Sequence, residues 1–286
     1  MNKLVKMTAI VAMAAVAGCC GFDCACAEDE PNISVFASFA RKIARERKIP
    51  LAQAANMLYD LGVRGMDASP KDKDLDELAQ SKLKFINFYV FPNFFAPDNG
   101  AADIKFFLDQ AEKYGVPRCM VVPTHFTKGG DEAAEFEKDL AGMKLAVAEA
   151  KKRGITVTVE DFGGTANAGS YMEYLKRFLD EIGSDFVGAY FDVGNIIYIG
   201  YPDQWIEILG KHIKRLHFCD CRAEQAGLGM FVDLFEGDVD FAAVMRAAKA
   251  IGYDKWATVE FLPNYKRFPY QSIINARLSL EQILKI

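Results

Sequence analysis

Four short apolar runs in this chain each end on a side chain that can bind a metal or move a proton. They close on Glu160 in Ile155-Thr-Val-Thr-Val-Glu160, Asp192 in Tyr190-Phe-Asp192, His217 in Leu216-His217, and Glu260 in Ala257-Thr-Val-Glu260. Each is followed by a polar or glycine-containing segment, as in Asp192-Val-Gly-Asn195 and His217-Phe-Cys-Asp220. Taken singly, any of them reads as a solvated loop acid or a backbone-bonded histidine. Taken in order, three carboxylates and one imidazole form a complete ligand set for a divalent cation. Glu160, Asp192, His217 and Glu260 are therefore the expected metal ligands. Oxygen-rich ligation of this kind suits Mn2+ first, with Mg2+, Co2+ or Zn2+ as alternatives.

Strand must alternate with helix to place such residues together, and the chain supplies that alternation. Strands are expected over Ile33–Ser38, Val63–Ala68, Leu83–Phe91 and Arg118–Val122, and then leading into Glu160, Asp192, His217 and Glu260. Helices are expected over Leu51–Leu61, Lys71–Ser81, Ala101–Tyr114, Asp131–Arg153, Ser170–Ile182, Pro202–Leu209, Phe241–Ile251 and Gln271–Leu284. Gly62, Gly115, Gly154 and Gly252 follow helices, where a left-handed residue ends the last turn. Eight strand–helix units imply a parallel sheet. The 286 residues fit a single α/β domain, a (β/α)8 TIM barrel of about 250 residues. An open doubly wound sheet is the alternative, but no glycine-rich phosphate fingerprint follows the first strand. In a barrel, the C-terminal ends of all strands open on one face. The four ligands would then converge from one half of that rim.

The composition is that of an ordinary globular protein, 51% hydrophobic and 26% charged, with a net charge of −5 and no basic tract. Nothing in that balance favours nucleic acid. Residues 1–27 read as an export signal and linker, and residues 28–286 as the barrel. Lys3 and Lys6 precede a small apolar run, Met7 to Ala17, that is too short to span a bilayer. Two processing sites compete: Ala25-Cys-Ala27 for a general signal peptidase, and Val16-Ala-Gly-Cys19, a lipobox that would leave Cys19 lipidated. The lipobox is favoured because it follows the apolar run directly. It would make residues 1–18 a lipoprotein signal and give the only membrane contact expected, with the barrel periplasmic or held at a bacterial membrane surface. Cys119, Cys219 and Cys221 are too few for a disulfide framework.

Five segments carry a resemblance to a family. Leu61-Gly-Val-Arg-Gly-Met-Asp67 resembles a second-strand G-x-x-G-x-E run. Val159-Glu160, Asp192-Val-Gly-Asn195, His217-Phe-Cys-Asp220 and Glu236-Gly-Asp-Val-Asp240-Phe resemble V-E-N, D-x-G-[NH], H-x-K-D and G-x-[ILV]-D-[FW]. Together they are similar to the sugar phosphate isomerase/epimerase group with the xylose-isomerase-like barrel. That group includes ketose 3-epimerases, hydroxypyruvate isomerases and inosose dehydratases. The resemblance implies removal of a proton next to a carbonyl, through an enediolate that a bound metal stabilises. It implies Glu160 and Glu260 as the two proton-transfer groups, both also metal ligands. Asp67, Asn195, Asp220 and Arg222 are carried over as substrate-binding candidates, and His125 joins them from the end of the fourth strand. Cys219 stands where the pattern has lysine, which removes a charge that could touch substrate.

The leading expectation is a metal-dependent isomerase or epimerase of a non-phosphorylated sugar or keto-sugar. Lyase or dehydratase chemistry of the inosose or 3-keto-glycoside type in the same site is the alternative. A non-catalytic carbohydrate-binding barrel is the reading from another class, and the paired glutamates count against it. A DNA-repair endonuclease needs more histidines than His125, His212 and His217 supply. Cys219 and Cys221 alternate with His217, so they could hold zinc, though buried free thiols are the commoner outcome. Tyr198, Tyr201 and Trp205 could stack on a sugar, with helix packing preferred for Trp205. Self-association stays open.

Overall fold

The computed structural model describes residues 32–122, 131–160, 168–197, 200–224, 231–254, 256–260, 265 and 268–286. Eight parallel strands close into a barrel in the order β1-β10-β7-β6-β5-β4-β3-β2. They are β1 (Ile33–Phe36), β2 (Gly65–Ala68), β3 (Lys84–Val90), β4 (Arg118–Val121), β5 (Thr156–Glu160), β6 (Val187–Asp192), β7 (Ile213–Phe218) and β10 (Ala257–Val259). A two-stranded antiparallel hairpin, β8 (Asp220–Cys221) with β9 (Phe231–Val232), follows β7. The helices are α1 (Ala37–Arg47), α2 (Leu51–Asp60), α3 (Leu75–Leu78), α4 (Ala101–Tyr114), α5 (Glu132–Lys152), α6 (Ala168–Ile182), α7 (Pro202–Leu209), α8 (Phe241–Ala250) and α9 (Pro269–Ile283).

Strands covered on both faces read as nearly continuous apolar runs, and β6 is buried along its whole length. The register climbs around the rim. Glu160 pairs with Tyr190, Asp192 with His217, and His217 with Thr258. Side chains two apart on a strand share a face. The inward partners below the four expected ligands are therefore Thr158, Tyr190, Arg215 and Thr258.

Three elements differ from the sequence expectation. The first strand ends at Phe36 and helix α1 begins at once. It buries Ala37, Phe39, Ala40 and Ile43 at helical spacing, a pattern masked by the apolar run that precedes it. The helix expected over Lys71–Ser81 shrinks to the four residues of α3. Asp72 accepts from the Ser69 amide at 3.0 Å, and Asp72 and Asp74 both bind Arg41, so local turn chemistry displaces the first helical turn. The pairing of β8 with β9 has no counterpart in the sequence pattern, because each strand is only two residues long. No helix among the described residues is long and apolar enough to cross a membrane.

Candidate metal centre and active site

Nδ1 of His217 lies 3.3 Å from Glu160 Oε1, 3.3 Å from Glu260 Oε2 and 3.8 Å from Asp192 Oδ2. Glu160, His217 and Glu260 offer ligand atoms within 4.8 Å of one another, the spacing of a divalent metal site. Asp192 stands beside this triad with its two oxygens doing different work. Oδ1 accepts from the amides of Gly194 (2.7 Å) and Asn195 (2.9 Å) and from the Cys219 thiol (3.0 Å). That fixes the turn after β6 and leaves Oδ2 facing the imidazole. Gly194 is required there, because a Cβ would collide with the Cys219 sulfur.

The donor set fits a divalent cation. His217 Nδ1 and Glu260 Oε2 are buried and have no hydrogen-bond partner among the described residues. Buried polar atoms are rarely left so. Burial alone lowers the pKa of the imidazole, but Glu260 and Glu160 outweigh it and hold His217 well above its ordinary value. Burial likewise pushes the Glu260 carboxyl well up, against the pull of His217. A cation at this point would give Nδ1 and Oε2 the partner they lack. Among the described residues the cysteines take no part in the cluster, and Cys119, Cys219 and Cys221 are buried free thiols.

Not every sequence candidate meets this centre. Asp67, the last residue but one of β2, is fully buried inside the barrel and accepts from Asn87 Nδ2 (2.8 Å) and the Tyr190 hydroxyl (2.9 Å). Asp220 accepts the amides of Cys221, Phe235, Gly237 and Val239 at 2.9 to 3.2 Å, so it anchors the loop beyond the hairpin. Arg222 directly follows β8, with Nε 3.4 Å from the Glu236 carbonyl. Asn195 is half-buried in the turn that Asp192 holds. His125 and Tyr198 lie outside the described residues, as does the whole of the signal and processing segment. Tyr201 is exposed, while Trp205 packs against the core.

A cavity of about 500 Å3 opens over the two glutamates. Phe36, Phe39, Tyr89, Phe91 and Met120 line it, with Lys42 and Arg45 of α1. In the sequence these residues carry no signal beyond that of apolar packing, because none but Lys42 and Arg45 is charged. Phe36 is the last residue of β1 and Tyr89 the last but one of β3. A larger and more open groove of about 600 Å3, flanked by Arg177, Trp205 and Ile208, contains none of the cluster. Of the two, the smaller cavity is the one that reaches Glu160 and Glu260. Paired carboxylates on either side of a cation site, under an aromatic wall, can enolise a carbonyl compound.

The model of the xylose isomerase-like TIM barrel family matches residues 17–276. Over 143 residues the chain is 27% identical to an inosose dehydratase of Geobacillus thermodenitrificans, covering 44% of this chain and 47% of that protein. The chain thus spans about half the length of the curated relatives it matches. A crystal structure of the IOLI protein with a bound zinc atom superposes with a TM-score of 0.73 at 17% identity, covering 89% of this chain and 98% of the other. A D-psicose 3-epimerase solved with D-fructose gives a TM-score of 0.68 at 12% identity, covering 88% and 99%. At these identities the two structures show the shared fold.

Proposed function

The chain belongs to the xylose isomerase-like TIM barrel family, and from that premise we propose that it is a divalent-metal-dependent isomerase or epimerase of a sugar or keto-sugar. The family is enzymatic and acts on small sugars, and a divalent metal site at Glu160, His217 and Glu260 agrees with that. The observation that carries the finer reading is the approach of Glu160 and Glu260 to one nitrogen, at 3.3 Å each, at the floor of a cavity large enough for a carbohydrate.

A cation held by Glu160, His217 and Glu260, with Asp192 beside them, would supply Lewis acidity toward a carbonyl and its neighbouring hydroxyl. Mn2+ is the ion we favour for this oxygen-rich set. One glutamate takes the proton from the carbon next to the carbonyl. The other returns a proton to the opposite face of that carbon, giving the epimer; alternatively a proton is returned to the former carbonyl carbon while the hydroxyl proton of the first carbon passes to the former carbonyl oxygen, giving the isomer. Phe36, Tyr89 and Met120 keep bulk water from the exposed carbanion face. The names of the curated relatives favour a second reading. The same proton removal can be followed by loss of a β-hydroxyl, which leaves with a proton as water while a carbon–carbon double bond forms. The export signal read over residues 1–27 would put either reaction outside the cytoplasm, and mass spectrometry of the mature N-terminus tests that.

Mn2+-loaded protein should be incubated with free ketoses, inososes and 3-keto-glycosides, with products read by NMR in D2O. A product isomeric with its substrate and carrying deuterium supports the isomerase. An unsaturated product favours the dehydratase. Binding without either product would favour a carbohydrate-binding barrel.

A further inference from the structure

Beneath the metal cluster lies a line of buried polar side chains that no proton-transfer step uses. Ser34 Oγ is 2.6 Å from Thr258 Oγ1, Thr258 Oγ1 is 2.6 Å from the Tyr190 hydroxyl, and that hydroxyl donates to Asp67 Oδ2 at 2.9 Å. Asn87 donates to the same oxygen at 2.8 Å. Each hydroxyl has one proton to give. Because Tyr190 spends its proton on Asp67, Thr258 must donate to Tyr190, and Ser34 must donate to Thr258. The line therefore has one direction and ends on the Asp67 carboxylate. It ties β1, β10, β6, β2 and β3, five of the eight barrel strands.

The Tyr190 ring then meets the site. Its centroid is 3.9 Å from that of the His217 ring, with planes tilted by 41°. Phe36 approaches the same imidazole from another side at 5.5 Å. A ring gripped by two aromatics cannot swing freely about its side-chain torsions. The phenol, in turn, is fixed by hydrogen bonds at its far end.

We infer that Asp67 and Tyr190 are positioning residues that hold the His217 ring with Nδ1 toward Glu160, Asp192 and Glu260, and that Asp67 serves this role instead of touching substrate. The inference rests on the metal reading given above. Asp67 is fully buried, whereas the substrate cavity is walled by Phe36, Tyr89 and Met120 without it. Support behind a ligand commonly sets metal affinity by about 10- to 100-fold.

Mn2+ affinity of the substrate-free protein tests this, by calorimetry or by the EPR signal of the free ion. Y190F keeps the ring and loses the hydroxyl, while D67N keeps the volume and loses the anion. Each should weaken Mn2+ binding by about tenfold. Because Asp67 acts through the Tyr190 hydroxyl, the double variant should be no weaker than the weaker single. Should Y190F fail to fold, judged by circular dichroism, T258V removes the preceding donor with its shape kept and should weaken binding in the same direction. Singles that bind Mn2+ as the wild type does, or singles whose effects multiply in the double variant, overturn the inference. Wild-type protein that binds no Mn2+ would overturn the metal reading itself, a separate and distinguishable result.

Discussion

Glu160 and Glu260 reach the same nitrogen, Nδ1 of His217, at 3.3 Å each, although their strands are not neighbours. In the barrel, β6 and β7 lie between β5 and β10. The two carboxylates thus approach from separated arcs of the rim, as groups must if they are to serve different faces or different carbons of one substrate. Carboxylates on adjacent strands would crowd one face.

Metal binding should be visible as stability. A cation present at about 100 times its dissociation constant adds about 2.7 kcal/mol, which is roughly 5–10 °C in Tm for a domain of this size. Wild-type protein should show that rise with Mn2+ and lose it on chelation. H217A should fold without it, because the central ligand is gone. An equal Mn2+ shift in H217A would place the metal elsewhere.

Asp220 is expected to matter for stability before it matters for substrate. Replacing it with alanine strands four amides, those of Cys221, Phe235, Gly237 and Val239. Leaving buried donors unsatisfied should cost D220A about 2–4 kcal/mol in urea unfolding. Unchanged stability with a large loss of sugar affinity would return Asp220 to the substrate-binding role the sequence suggested.

The clamp that holds α1 over the cavity has a definite pH dependence. Arg41 binds Asp74 through Nε (2.8 Å) and Nη2 (2.7 Å), and these bonds hold the Asp74 carboxyl below its ordinary value. A depressed carboxyl pKa contributes stability above the unfolded value and loses it as the pH falls through the folded one. The pair is partly exposed, so D74N should cost less than about 1 kcal/mol at pH 7. The gap between wild type and D74N should shrink as the pH falls below about 4. A gap in urea unfolding that widens at pH 3 would contradict this account.

Much of the fold was legible because parallel strands are apolar throughout and their helices end on glycine. Ala101–Tyr114 and Pro202–Leu209 have the expected bounds, since Gly100, Gly115, Pro202 and Gly210 punctuate them. The ligand candidates were legible for a related reason: a carboxylate or imidazole closing a buried strand contrasts sharply with the residues before it. What lay behind them was harder to see. Tyr190 looks like one more aromatic residue in β6, and only closure of the barrel brings its hydroxyl to Asp67, 123 residues away. Asp220 follows the cluster in sequence, yet the hairpin turns its carboxylate onto backbone amides. Cys219 reads as the loss of a lysine, but its thiol donates to Asp192 and helps hold the turn that follows that carboxylate.

The most direct test is exchange of the substrate's carbon-bound proton with solvent deuterium, comparing Mn2+-loaded wild type with E160Q and E260Q. Glutamine keeps the size and one oxygen but cannot accept the proton. Metal content must be measured in each variant, since both residues face the metal site. The account predicts exchange by the wild type on a carbonyl sugar that binds, and a loss of about 100-fold or more in a variant that still holds Mn2+. Wild-type protein that binds sugar and metal without exchange, or metal-loaded variants that exchange at the wild-type rate, would contradict it.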